Sequence, residues 1–143
     1  INNVFFFFFK EKKEFFILKD GQLMFYVSSE GEVSAEVLQN RMLSAGYLSA
    51  ILQIVENSSS GNVISSIEMG NKHVFLEKGT FLPIVFVYVI HTKKIREKRE
   101  SKRMDKAIEN FEELFKLEDV TKWNGNMRSF DKCKSSVTDI LSF

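Results

Sequence analysis

Among its 143 residues the chain has one cysteine, one proline, one tryptophan and two histidines. Each scarcity removes a class of answer. The lone thiol, Cys133, cannot build an internal disulfide framework and points to a reducing compartment. No segment reaches the ~18 consecutive apolar residues that a spanning helix needs. The longest candidate, 81–90, is too short and carries Pro83. The start, Ile1-Asn2-Asn3-Val4 before five Phe, has neither the basic leader nor the small-residue cleavage site of a signal peptide. Neither glycine pattern that cradles phosphates, G-x-x-x-x-G-K-[ST] or G-x-G-x-x-G, occurs, so nucleotide binding has no support. A net charge of +1 gives no whole-molecule preference for nucleic acid or for acidic partners.

What is present speaks of fold. An apolar fraction of 44% over this length suits one domain with a real core. Phe15-Phe16-Ile17-Leu18 runs into Lys19-Asp20-Gly21-Gln22, and Leu23-Met24-Phe25-Tyr26-Val27 comes straight out of it. Asp-Gly between two apolar runs is the strongest local hairpin signal, because both residues tolerate positive φ. Strands are expected at 14–19 and 22–28. Ser34 then caps a helix to about Glu56, with Leu38, Met42, Ala45, Leu48, Ile51, Leu52 and Val55 at helical spacing. Gly46 within it is expected to permit close packing. Residues 57–62 read as a loop and 63–69 as a third strand. Gly70-Asn71 turns into an alternating strand over 72–78, with His73, Phe75 and Glu77 on one face and Val74 and Leu76 on the other. The apolar run 84–92 reads as a strand buried on both faces, with Pro83 at its start.

A helix is expected over 94–117, solvated in its charged first half and packed through Met104, Ala107, Ile108, Phe111, Leu114 and Phe115. A loop with Trp123 leads to a last helix from Ser129 or Phe130 to Leu141. The order β-β-α-β-β-β-α-α defines an α+β fold: a five-stranded antiparallel sheet with helices on both faces. Residues 1–13 read as an atypical N-terminal extension, a fragment's edge or an over-extended translation start, and 14–143 as the domain.

Chemistry is harder to find. His73 and His91 fall on neighbouring strands, but no carboxylate or thiol lies beside either at ligand spacing, so they read as ordinary strand residues. Cys133 is on the apolar side of a helix and reads as a structural thiol. No catalytic residue, cofactor or metal is expected. The one electrostatic anomaly is the basic run containing Lys94, Lys98, Arg99, Lys102 and Arg103, diluted by Glu97, Glu100 and Asp105. A solvated helix face explains it, and a patch for anionic lipid headgroups or an acidic partner is the sharper reading. Nucleic acid is disfavoured, because no aromatic residues interleave with the charges.

The ordered set of motifs resembles the longin fold, a profilin-like five-stranded sheet between helices. The segment 16–26 resembles the opening hairpin of longin-like proteins, especially archaeal ones and the related vesicle-trafficking subunits. The segment 43–52 resembles their first helix, 67–78 their third and fourth strands, and Trp123-Asn124-Gly125-Asn126 with Phe130 the loop before their last helix. Residues 1–13, Pro83 and the basic start of the penultimate helix depart from the pattern. The resemblance implies a non-catalytic cytoplasmic platform that dimerises and engages small GTPases, or another longin- or roadblock-type domain. It also implies that the third strand is a sheet edge. Val63, Ile64, Ser65, Ser66 and Ile67 lack the Lys or Pro that usually guards an edge, so this strand and the neighbouring helix face are the expected dimer contact. Two rival readings remain: a small-ligand sensor on a profilin- or PAS-like sheet, and a peripheral membrane-surface protein using the basic helix.

Overall fold

A computed structural model describes residues 11–58, 66–92 and 94–143. The fold is α+β. Strands β1 (Lys13–Lys19), β2 (Gln22–Ser28), β3 (Ser66–Met69), β4 (Lys72–Lys78) and β5 (Val85–Ile90) form one sheet. The helices are α1 (Ala35–Ser58), α2 (Glu97–Leu114), α3 (Leu117–Thr121) and, after a 3-10 turn over Asp131–Cys133, α4 (Lys134–Ile140). The sheet order is β2-β1-β5-β4-β3, and every pairing is antiparallel.

The hairpin turns follow their residue types. Asp20 and Gly21 both take positive φ, 51° and 77°, whose twist matches the flanking strands. Before β4, positive φ falls on Gly70 alone, at 61°. In the β1–β2 ladder Ile17 faces Phe25 and Leu18 faces Leu23, so Met24 is an extra residue in a β-bulge. The bulge sends both Met24 and Phe25 into the same core.

The sheet separates two cores. Phe15, Ile17, Phe25, Phe75, Phe86 and Tyr88 meet α2 and the C-terminal segment through Met104, Phe111, Phe130 and Val137. Phe16, Leu18, Tyr26, Val74, Leu76 and Val87 meet α1 through Ala45 and Leu48. Phe86 to Ile90 are buried, as expected of a central strand, and Pro83 precedes β5.

Several expectations need correction. Met42 is 52% exposed, not part of the inward stripe of α1. Gly46 meets no atom within 4 Å of where a Cβ would stand, so close packing does not explain it. Its replacement by alanine is expected to stabilise the protein by about 0.5–1 kcal/mol, read as a rise in the urea midpoint. The helix expected over 94–117 stops at Leu114. Phe115 turns extended and inward, and a new helix starts where the Lys116 N–H donates to the Asp119 carboxylate at 2.8 Å. The charged first half of α2 is not simply solvated either, because Glu100 is buried.

Candidate functional site

Two buried charge clusters lie back to back across the start of β1. Lys13 and Glu14 are consecutive strand residues, so their side chains leave opposite faces of the sheet. Glu14 is fully buried on the α1 side. Its carboxylate accepts from the Tyr26 hydroxyl at 2.5 Å and from Arg41 Nη2 at 2.5 Å, and it contacts His91 Nε2. Arg41 Nε lies against the second carboxylate oxygen as an ion pair without hydrogen-bond alignment. Burial alone would raise the Glu14 pKa. Hydrogen bonds from His91 and Tyr26 and the Arg41 charge outweigh it and hold the carboxyl down at about 2. Burial, with Glu14 beside it, pushes the Tyr26 hydroxyl up to about 12.

On the other face, Glu100 of α2 accepts from the Tyr88 hydroxyl at 3.0 Å and from Arg103 at 3.1 and 3.3 Å. Arg99 reaches it at 3.3 Å and the Lys13 ammonium at 4.0 Å. Lys13 also donates to the Leu141 carbonyl at 3.3 Å. Burial lowers the Lys13 pKa despite Glu100. Burial opposes ionisation of Glu100, but Lys13, Tyr88 and Arg103 bring its pKa down. Apart from Arg41 Nε, the polar side-chain groups described in each cluster find their partners within the protein. Their effect is to fix α1 and α2 on the two faces of the sheet.

Fixing α1 decides what it shows outward. Arg41 is at the inward spacing of Leu38, Ala45 and Leu48, so the opposite side faces solvent. There Leu43 is 72% and Tyr47 62% exposed, flanked by Met42. Large apolar side chains grouped on one helix are the kind of exposure that marks an interaction surface. Among the described residues β3 pairs only with β4, so it is a sheet edge. Ser66 and Ile67 of the expected contact belong to this edge strand, and Ile67 packs towards the α1 core. Val63, Ile64 and Ser65 lie outside the described residues.

The remaining candidate residues divide. His91 joins the Glu14 cluster, whereas His73 contacts Ser66 Oγ and approaches Glu97 at 3.9 Å on the α2 side. The two histidines therefore serve different carboxylates. Cys133 is buried; its thiol donates to the Phe130 carbonyl at 3.1 Å, and burial pushes it up to about 12. Of the basic run, Lys94, Lys98, Arg99 and Lys102 are exposed and Arg103 is half-buried, with Arg99 and Arg103 partly neutralised by Glu100.

A groove between β4 and α2 was not foreseen. It is lined by Glu77, Asp105 and Glu112, with Phe81 at its rim. The Glu112 carboxylate accepts the Thr80 and Phe81 N–H groups at 3.1 and 2.8 Å. Burial first, then Asp105 and Glu112, raises the Glu77 pKa to about 7. Because the folded value lies above the ordinary 4.5, folding favours the protonated form. Stability from this residue is thus present at pH 4–5 and lost as pH rises through 7. Glu77→Gln is expected to remove that decline, measured as urea midpoints between pH 5 and pH 8. Among the described residues no three of His, Cys, Asp and Glu are placed to hold a metal ion. Among the same residues no helix is long and apolar enough to cross a membrane.

No family model matches the chain, and no curated protein matches it either.

Proposed function

We propose that this chain is a non-catalytic, longin-like interaction module of the cytoplasm, a dimerising platform that engages a small GTPase or another longin- or roadblock-type domain. The observation that carries the reading is the outward exposure of Leu43 and Tyr47 on a helix locked to the sheet by the Glu14–Arg41 pair. The sheet order, with β3 at an edge, supports it, since an edge strand offers unpaired backbone groups to a partner. Both charge clusters are consumed internally, which favours a scaffold over a reactive centre.

The test is affinity capture with the purified chain from cells of its source, with mass spectrometry of what is retained. The wild type is expected to retain a small GTPase or a longin- or roadblock-type protein. Leu43→Asp with Tyr47→Asp is expected to lose it at least tenfold with an unchanged urea midpoint, since both side chains are exposed. Equal recovery by both proteins would reject this surface. Specific retention of a small molecule in place of a protein would favour a sensor.

A further inference from the structure

The exposed charges of α2 are sorted by sign along one side of the helix. A helix favours negative charge near its N-terminus and positive charge near its C-terminus. The first turn of α2 mixes Glu97 and Glu100 with Lys98 and Arg99, while its last turn carries Glu112 and Glu113 and no basic residue, so only the C-terminal end runs against the dipole. The solvent-facing ridge reads Lys98, Lys102, Lys106, Glu109, Glu113, all exposed. Along it, Lys98, Lys102 and Lys106 are spaced by four, as are Glu109 and Glu113. Like charges at that spacing repel within a helix. Among the described residues no ion pair involves any of these five. Arg99, Arg103 and Glu112, which do have partners, lie off this ridge.

Segregating charge in this way is unfavourable within one chain and complementary to the same ridge turned end for end. We propose that α2 is a self-association surface, on which a second copy of this chain docks antiparallel about a two-fold axis. Lys102 of one copy then faces Glu113 of the other, and Lys106 faces Glu109. The axis repeats both contacts, so the patch is self-complementary, as a two-fold interface requires. The contact goes beyond the function proposed above and uses the opposite face of the sheet from α1. A partner on Leu43 and Tyr47 and a second copy on α2 can be bound together. The pairs are exposed, so the association is weak and salt-sensitive: screening shortens from about 30 Å at 0.01 M salt to about 3 Å at 1 M.

Charge reversal with mixing provides the test, read by sedimentation equilibrium, with circular dichroism confirming the fold. Wild type is expected to dimerise at about 0.01 M salt and to dissociate at about 1 M. Lys102→Glu with Lys106→Glu makes the ridge wholly acidic over the contact. Glu109→Lys with Glu113→Lys makes it wholly basic. Each double variant alone is expected to be monomeric, and an equimolar mixture is expected to form a 1:1 dimer. The fourfold variant carrying all these changes is expected to dimerise again. A mixture or a fourfold variant that stays monomeric overturns the proposal. So does a wild type that is monomeric up to about 1 mM, the limit of weak association. Binding of monomeric wild type to phosphatidylserine vesicles, lost on Lys102→Glu with Lys106→Glu, also overturns it and assigns the basic half to an anionic membrane.

Discussion

Glu14→Ala is expected to destabilise the fold by about 3–5 kcal/mol, the cost of removing one partner from a buried ion pair. The substitution leaves Arg41, Tyr26 and His91 without their shared acceptor. Three elements lose their common tie: β1, β2 and α1. Urea denaturation at pH 7 measures the effect, and a midpoint equal to wild type would refute the assigned role. The same pair predicts an acid limb. The folded pKa of about 2 lies below the ordinary 4.5, so this stabilisation is present above pH 4.5 and is lost as pH falls towards 2. Glu14→Gln keeps the shape of the side chain and is expected to flatten that limb.

Phe111→Ala is expected to cost a similar amount, about 3–5 kcal/mol, as deletion of a buried ring does. Phe111 is fully buried at the centre of the larger core. Its ring lies 4.7 Å from that of Phe115, 5.7 Å from those of Phe86 and Phe130, and 6.5 Å from that of Phe25. It therefore joins α2 both to the sheet and to the segment before α4. Leu114, counted in the same apolar stripe from spacing alone, is 37% exposed. Its replacement by alanine is the matched control and is expected to cost well under half as much.

What could be read from the chain alone depended on how local each cause was. The β1–β2 hairpin rests on Asp20 and Gly21, whose φ preferences act within two residues, and it was legible. The alternation of 72–78 placed Phe75 in one core and Val74 and Leu76 in the other, as it had to once the strand was paired on both sides. The break after Leu114 was not legible, because Leu117 continues the apolar spacing. A capping contact between Lys116 and Asp119 overrides it.

The buried charges were missed for a different reason. Lys13 and Glu14 end a charged run, 10–14, that looks solvated, and the Glu14 partners lie 12, 27 and 77 residues away. A signal was nevertheless present. Arg41 falls on the stripe of Leu38, Ala45 and Leu48, and Glu100 falls on that of Met104, Ala107 and Phe111. A charge at an inward helical position calls for a buried partner, since an unpaired one would be costly. The outward patch at Leu43 and Tyr47 was hidden because α1 has apolar residues on both sides, so periodicity alone could not choose the inner one.

The central claim is that the outer face of α1 meets a protein partner. Site-specific photo-crosslinking from position 47 tests it most directly, with position 122, exposed on the far side of the sheet beyond α3, as the control. In cells of the source, the account predicts a cross-link from 47 to a small GTPase or a longin- or roadblock-type domain, and none to that protein from 122. Cross-linking of equal yield from both positions, or none from 47, would contradict it.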